Sequence, residues 1–311
     1  MVDKIISLGK DAKYIPDFDE CVSYLKDNDL KVTLNLHPAD GVAAYEEKYE
    51  AIARDMGIDP QLKQTVPWVS SDKQFLKSMF KNILNPMENA GVDFWWLDWQ
   101  QGSISRIPGL DPLWLLNYYH FLDADRGSRR PMILSRYAGP GSQRFPIGFS
   151  GDSIISWRSL DFQPYFTANA ANIGYGWWSH DIGGHAAGYR DVELQTRWLQ
   201  FGVFSPILRL HSTSNPFNGK EPWRYPEPAK SIMAEFMRLR HSLIPYLYTM
   251  NWRCHAFGEL LVEPMYYQYP KENLAYSVKN QYQFGSELIV CPITQRGSPI
   301  TGRGCTSAWL P

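Results

Sequence analysis

The sequence predicts an α/β fold, a (β/α)8 barrel that is incomplete here and is followed by the start of a small β domain. Strand–loop–helix units repeat along the chain, which implies parallel strands joined by right-handed crossovers. Polar motifs follow the strands, as at the C-terminal rim of a barrel. About six units fit between residues 31 and 252, whereas a closed barrel has eight. We therefore expect the first two strands to be missing from this chain.

Each element is predicted from its local pattern. Strands are predicted where apolar and β-branched residues alternate or form short runs, at residues 31–36, 93–99, 132–137, 145–150, 175–179 and 206–210. Helices are predicted from helical spacing and end signals, at residues 18–26, 45–56, 72–90, 111–125, 160–172, 191–201 and 228–252. After Phe257 the pattern becomes β, at residues 260–269 and 282–292. We expect two domains, a partial barrel at residues 1–256 and the start of a β-sandwich at 257–311.

Composition narrows the classes of function. The 311 residues hold 31 Lys and Arg against 32 Asp and Glu, and the net charge of -1 argues against a polybasic nucleic-acid binder. No run approaches the roughly 18–20 apolar residues of a membrane span, and the opening residues lack the apolar run of a signal peptide. We therefore expect neither nucleic acid nor a membrane as a partner.

Metal and nucleotide sites have no clear sequence support. The four cysteines lie far apart, so neither a disulfide scaffold nor a CxxC metal site is indicated. No strand is followed by GxGxxG or GxxxxGK[ST], and no GxSxG motif of a nucleophilic serine is present. We expect no metal and no organic cofactor.

Aromatic residues make up 14% of the chain, and many lie beside Asp, His, Arg or Gly. Aromatic rings stack on the C–H faces of sugars, so this composition is compatible with a carbohydrate ligand. A large aromatic core explains it as well, and composition alone favours the core.

Two aspartates at strand ends are candidate catalytic carboxylates. Asp98 in FWWLDWQQG shares a strand face with Trp96, and a carboxylate among indoles is costly to bury unless it is used or paired. The alternative is that Asp98 caps the following loop. Asp152 in FSGDSIISW follows another strand, where a turn or N-cap role fits equally well. At the rim of one barrel, two such carboxylates are what glycoside hydrolysis requires.

Asp181 in WWSHDIGGH is a candidate ligand for sugar hydroxyls. His180 and His185 lie beside it and suggest a metal, but the chain has no HExxH motif. Adjacent His180 and Asp181 would also point to opposite faces of a strand. Contact with a sugar is therefore favoured over a metal site.

Further polar residues end strands. Arg136 can hold a hydroxyl or a nucleophilic carboxylate, and Arg209 shares a face with His211. For both arginines an inter-strand ion pair is an equally good explanation. His37 and Asp40 in LHPADG can bind substrate or close a tight loop, and the loop role is favoured.

Four motifs occur in one order: WWLDWQQG, SRYAGPGSQRFPIGFSGDSIISW, GWWSHDIGGH and RWLQFGVFSPILRLHS. Their order and context resemble glycoside hydrolase family 31, the retaining α-glucosidases, α-xylosidases and relatives, over about residues 14–311. The resemblance implies that Asp98 is the nucleophile and Asp152 the general acid/base. It also implies a subsite for the non-reducing-end sugar that is lined by Trp96, Arg136, Asp181 and His211.

Three positions depart from the family's usual pattern. Trp99 follows the nucleophile where the α-glucosidases usually have methionine, Phe149 replaces an indole, and His185 stands where an aromatic residue often follows the double glycine. All three belong to the expected sugar pocket. The carboxylate that the family usually carries on the second barrel strand has no counterpart in the sequence.

The expected reaction is double displacement on an α-glycoside or oligosaccharide, through a covalent glycosyl-enzyme. An α-glucoside is the first candidate substrate. Because of the three departures, an α-galactoside, an α-N-acetylgalactosaminide and an α-xyloside are alternatives. A transglycosidase and a carbohydrate-binding fragment without turnover are two further alternatives.

Overall fold

The computed structural model describes residues 15–98, 105–126, 130–145 and 147–311. Within these ranges a six-stranded sheet has its strands in sequence order. The strands are β1 Thr33–Leu36, β2 Phe94–Leu97, β3 Ile133–Arg136, β4 Gly148–Phe149, β5 Trp178–Asp181 and β6 Ile207–Arg209. The pairs β1–β2, β2–β3 and β5–β6 are parallel. The alternation of parallel strands with helices confirms the predicted (β/α) fold class.

The helices fall between and after the strands. They are α1 Phe18–Asp27, α2 Tyr49–Asp55, α3 Lys73–Met79, α4 Asn85–Asn89, α5 Pro112–Ala124, α6 Trp157–Ala170, α7 Val192–Val203, α8 Ala229–Ser242 and α9 Ile244–Phe257. A π-helical turn, Phe80–Leu84, joins α3 to α4, so the predicted helix at 72–90 is one continuous helical stretch. None of the helices in the described part of the chain is long and apolar enough to cross a membrane.

Two of the predicted elements that differ from the structure have a clear physical cause. The single helix expected at 228–252 is divided into α8 and α9 at Leu243. Pro245 explains the break, because its ring lacks an N–H group and crowds the carbonyl of the preceding turn. The strand expected at 175–179 begins only at Trp178, since the N–H of Tyr175 bonds to the carbonyl of Ala170 and completes the end of a helix.

The chain divides into two compact units, residues 1–148 and 149–311. In the first unit, β1, β2 and β3 pair in a register that places Asn35 beside Trp96 and Trp96 beside Leu134. Helices pack on the strands through fully buried residues, which include Ile52, Ala53, Val66, Leu84, Val92, Leu97 and Leu116. The register fixes which side chains reach the C-terminal ends of the strands together.

The second unit joins α6–α9 to a small antiparallel sheet. Its strands are β7 Val262–Pro264, β8 Tyr282–Phe284 and β9 Leu288–Val290, as expected from the change of pattern after Phe257. One core holds both parts, and its most buried members include Leu160, Trp198, Met233, Tyr282 and Phe284. The hydroxyl of Tyr282 also donates to the carbonyl of Phe204 at 2.8 Å. The antiparallel sheet therefore packs directly on the helices that support β5 and β6.

Candidate active site

Asp98 lies at the C-terminal end of β2, between the ends of β1 and β3. The register pairs Asn35 with Trp96 and Leu97 with Ser135. Because side chains alternate along a strand, Asn35 lies on the same face as Asp98. Three neighbouring strands therefore direct polar groups to one carboxylate.

The Asp98 carboxylate is buried and hydrogen bonded at both oxygens. Its Oδ1 accepts a hydrogen bond of 2.7 Å from Nε of Arg136. Its Oδ2 accepts one of 2.9 Å from Nδ2 of Asn35 and lies 3.2 Å from Nε2 of His37. Asp98 is only 7% exposed, so these neighbours replace the water that would otherwise solvate the charge.

These contacts keep Asp98 ionised. Burial by itself raises the pKa of this carboxyl, but the hydrogen bonds from His37, Asn35 and Arg136, together with the charge of Arg136, lower the pKa well below its ordinary value. Asp98 is therefore an anion at neutral pH. It can act as a nucleophile or stabilise a positive charge, and it is not suited to donate a proton.

The other residues predicted around Asp98 have separate outcomes. Trp96 is buried in β2 on the face of Asn35 and Asp98, whereas Trp99 lies outside the described residues. His37, for which the loop role was favoured, touches Asp98 directly. Sequence reasoning missed Asn35, although an amide side chain between two leucines in the strand KVTLNL was a usable signal.

A second group of charged residues lies at the ends of β5 and β6, within the second unit. The register pairs Asp181 with Arg209, and Nη2 of Arg209 donates to Oδ1 of Asp181. Nε of Arg209 donates to the Ser179 hydroxyl at 3.0 Å, and the guanidinium lies over the Phe149 ring, 5.1 Å from its centroid. Phe149, a predicted sugar contact, is itself only 2% exposed. The Phe149 ring thus supports the arginine that holds Asp181.

His185 lies between two carboxylates. Its Nδ1 is 3.3 Å from Oδ2 of Asp181, and its Nε2 is 3.7 Å from Oδ2 of Asp152. The His211 ring packs on the His185 ring at a centroid distance of 4.9 Å. Four of the predicted site residues therefore form one cluster. The Asp152 side chain is 54% exposed, so this carboxyl group is open to solvent.

Asp181 is an anion in this cluster. Burial raises its pKa, but the hydrogen bond from His185 and the charges of Arg209, His211 and His185 lower it below the ordinary value. The side chain is only 1% exposed. The Asp181 carboxylate is thus buried and ionised, with Arg209 beside Oδ1 and His185 beside Oδ2.

The cluster also bears on the metal question. Asp152, Asp181 and His185 bring ligand atoms within 4.8 Å of one another. His180 points away from them, because its Nδ1 lies 3.0 Å from the Ser150 hydroxyl and its Nε2 lies 2.8 Å from that of Thr167. This confirms the prediction that His180 and Asp181 face opposite sides of β5. Burial lowers the pKa of His180 to about 3, so its imidazole is neutral. Arg209 already neutralises Asp181, which weakens the case for a cation at this place.

A tight turn after β5 carries His185 and depends on two glycines. Gly183 and Gly184 have φ values of +93° and +77°, which disfavour other residues. A side chain on Gly183 would meet Oε1 of Gln195 at 2.1 Å. Nζ of the buried Lys220 donates to the Gly183 carbonyl at 2.7 Å, and burial lowers the pKa of Lys220 to about 8. The turn is therefore hydrogen bonded to Lys220 and packed closely against Gln195.

Comparison with known proteins places this arrangement in a family. Residues 4–250 match the model of the glycosyl hydrolases family 31 TIM-barrel domain, and residues 258–311 match that of the family 31 C-terminal domain. An alpha-xylosidase of Saccharolobus solfataricus is 28% identical over 71% of this chain and 33% of its own length. Neutral alpha-glucosidase C of mouse is 29% identical over 70% of this chain and 24% of its own.

The structural comparison agrees with the sequence matches. A GH31 alpha-xylosidase from a soil metagenome, whose crystal structure contains xylose, superposes with a TM-score of 0.76 at 23% identity, over 91% of this chain and 48% of the other. The chain spans about a third of the length of the S. solfataricus relative. It belongs to glycoside hydrolase family 31.

Proposed function

We propose that this chain carries the catalytic carboxylates of a retaining α-glycoside hydrolase that removes sugars from the non-reducing end of its substrate. Asp98 is the nucleophile and Asp152 the general acid/base. The observation that carries this assignment is the hydrogen-bonded, ionised carboxylate of Asp98 at the end of a barrel strand. Asp152, by contrast, is exposed and can exchange protons with solvent or substrate.

The two carboxylates have different tasks in the reaction. Asp98 attacks the anomeric carbon while protonated Asp152 donates its proton to the leaving oxygen, and the C–O bond of the substrate breaks. A β-linked glycosyl ester of Asp98 results. Asp152 then takes a proton from water, the water oxygen attacks the anomeric carbon, and the α-configured sugar is released. A retaining reaction requires a separation of about 5–5.5 Å between the two carboxyl groups.

The sugar is held by residues around the two carboxylates. Asp181 and the adjacent His185 and His211 offer hydrogen-bonding groups at the second cluster, and Arg136 and His37 do so beside Asp98. We further propose the aromatic residues Trp96, Trp99 and Phe149 as parts of the pocket wall.

The substrate class follows from the relatives. The proteins to which the chain is similar include an alpha-xylosidase and neutral alpha-glucosidases, so we propose an α-glucoside or α-xyloside. An α-galactoside and an α-N-acetylgalactosaminide are alternatives at the same site. The ratio of transfer products to free sugar separates a transglycosidase from a hydrolase, because a transglycosidase passes most of its glycosyl-enzyme to a sugar hydroxyl and a hydrolase passes most of it to water.

A panel of nitrophenyl α-glycosides tests the hydrolase. The protein should release nitrophenol from at least one of them, and Asp98→Ala should abolish release. Asp152→Ala should regain part of the rate with azide on an activated leaving group, because azide needs no general base. Asp27→Ala, at the exposed end of α1, serves as the control. Full activity of Asp98→Ala would exclude the nucleophile assignment.

Two further proposals accompany this function. The catalytic domain extends over residues 1–256 and the β domain begins at 257, which the matches to 4–250 and 258–311 support. The reaction uses neither a metal nor an organic cofactor, because Arg209 supplies the positive charge beside Asp181. Treatment with EDTA should leave hydrolysis unchanged, and a loss that Ca²⁺ or Zn²⁺ restores would contradict this.

A further inference from the structure

The segment between β6 and α8, which we name the rim loop (residues 211–225), follows directly from the end of a barrel strand. It contains two short 3₁₀ turns, Pro216–Asn218 and Pro222–Arg224. The side chain of Asn215 accepts a hydrogen bond of 3.0 Å from the Phe217 N–H, and Nδ2 of Asn218 donates to the Thr213 hydroxyl at 2.7 Å. The loop is therefore ordered by its own side chains.

The rim loop is also fixed to the turn that carries His185. The Thr213 N–H donates to the His185 carbonyl at 3.2 Å, and Nζ of Lys220 donates to the Gly183 carbonyl at 2.7 Å. Arg190 adds donors to two loop carbonyls, those of Phe217 at 3.2 Å and Arg224 at 2.7 Å. The loop and the cluster around His185 thus form one continuous hydrogen-bonded surface within the second unit.

Phe217 presents an apolar ring on this surface. The residue is 58% exposed, although the backbone on which it stands is held by Asn215 and Arg190. It lines a narrow cleft together with Gly183 and Ile155, which follow Asp181 and Asp152 in the chain. Its exposure is thus built into a loop that is hydrogen bonded to the turn carrying His185.

We propose that the rim loop is a preformed platform for the leaving-group side of an oligosaccharide, with Phe217 as the residue on which the sugar beyond the scissile bond stacks. This inference rests on the proposed function. The acid/base must lie beside the leaving oxygen, and Asp152 contacts the same His185 to which the loop is bonded. A ring on an ordered loop costs little backbone entropy on binding, which favours stacking on the C–H face of a pyranose.

The test is a calorimetric series with α-linked mono-, di- and trisaccharides of glucose and of xylose. Asp98→Asn in every sample suppresses turnover. Affinity should rise from one sugar to two, and Phe217→Ala should reduce that gain by roughly three- to tenfold. Phe217→Trp should retain the gain, and Phe217→Leu should lose it, because stacking needs a ring.

The matched control is a substitution of a second exposed phenylalanine. Phe257→Ala removes a phenylalanine that is 64% exposed at the end of α9, and it should leave the series unchanged. An equal loss for all ligand lengths, an unaltered series in Phe217→Ala, or the same loss in Phe257→Ala overturns the platform. Nitrophenyl glycoside hydrolysis by the unsubstituted protein, without any gain from a second sugar, overturns the platform but not the hydrolase. A gain in affinity from the second sugar, without any hydrolysis of nitrophenyl glycosides, overturns the hydrolase but not the platform.

Discussion

Nε of Arg136 donates a hydrogen bond of 2.7 Å to Oδ1 of Asp98, across the boundary between β3 and β2. A guanidinium is charged at every accessible pH, so this partner stabilises the carboxylate and never competes for its proton. Asn35 fixes the second oxygen from β1. The preceding residues of the three strands pair in register, so the fold orients the carboxylate before any substrate arrives.

Replacing Arg136 with Met should move the acid limb of kcat/KM to higher pH. Without the guanidinium the pKa of Asp98 rises toward its ordinary value, because only the hydrogen bonds from His37 and Asn35 then oppose the effect of burial. Asp98, the proposed nucleophile, is then protonated over a wider acidic range, so we expect activity to be lost first at low pH. At pH values below the shifted acid limb, we expect kcat/KM to be about 100-fold lower than in the unsubstituted protein.

Arg136→Lys is the control for charge, and circular dichroism confirms that each variant is folded. Lysine keeps the positive charge without the fixed guanidinium geometry, so its acid limb should lie between those of the other two proteins. If the limb stays in place in the folded Arg136→Met variant, Arg136 does not hold Asp98 ionised.

Arg209→Leu should strongly destabilise the second unit. Asp181 is 1% exposed, and the substitution removes the guanidinium that pairs with it in a buried position. Loss of one partner of a buried pair costs about 3–5 kcal/mol of the free energy of unfolding. Urea denaturation at pH 7 measures the change.

Two comparisons test the reason for that loss. Arg224 pairs with Glu221 at 2.9 Å, with side chains 41% and 38% exposed, so Arg224→Leu should cost less than about 1 kcal/mol. The double variant Arg209→Leu with Asp181→Asn should be more stable than Arg209→Leu alone, because it buries no unpaired charge. A double variant that is less stable would show that packing, and not charge, sets the cost.

The strand-end aspartates could be predicted because two local rules suffice for them. Parallel strands bring their C-terminal ends to one edge, and alternation then selects the side chains that share a face. Asp98 and Asp181 follow from these rules. Their partners do not, because alternation shows that Arg209 can reach a neighbouring strand but not whether Asp181 or a ligand receives it.

Contacts made by loops lay beyond the sequence rules. Lys220 bonds to the carbonyl of Gly183, 37 positions earlier in the chain, and no periodicity links the two. The exposure of Phe217 likewise depends on how the loop folds back on itself. The start of the strand that ends at Asp181 was also predicted too early. The aromatic residues near Tyr175 suit a strand, but the Tyr175 N–H is bonded to the carbonyl of Ala170 at the end of a helix.

Gly183→Ala should destabilise the protein more than Gly57→Ala does. Both glycines have positive φ, +93° and +72°, so both substitutions carry a backbone cost of about 1 kcal/mol. A side chain on Gly57 meets no atom within 4 Å, whereas on Gly183 it would overlap the buried Gln195. We expect roughly 1–3 kcal/mol of additional loss at Gly183, measured by thermal unfolding.

Removal of the obstructing side chain tests that explanation. In the double variant Gly183→Ala with Gln195→Ala, the loss should be smaller than the sum of the two single losses. Additive losses, or equal losses for Gly183→Ala and Gly57→Ala, would mean that Gln195 simply moves aside.

Asp93→Asn should lower stability at neutral pH but not in acid. Oδ2 of Asp93 accepts hydrogen bonds from Nζ of Lys26 at 2.7 Å and from the Val32 N–H at 2.8 Å. Burial raises the pKa of Asp93, but these contacts outweigh it and hold the pKa below its ordinary value. A depressed pKa contributes stability above the unfolded value, near 3.9, and that contribution is lost as the pH falls through the folded value.

We therefore expect Asp93→Asn to cost about 1–3 kcal/mol at pH 7 and progressively less below about pH 4. Lysine substitutions identify the partner. Lys26 is 34% exposed and in contact, whereas Lys31 is 74% exposed and 3.9 Å from Oδ1. Lys26→Met should thus reproduce part of the loss, and Lys31→Met should stay within about 0.5 kcal/mol of the unsubstituted protein. Urea midpoints between pH 7 and pH 3 decide the matter, since a deficit in Asp93→Asn that persists unchanged at pH 3 cannot arise from the charge of Asp93.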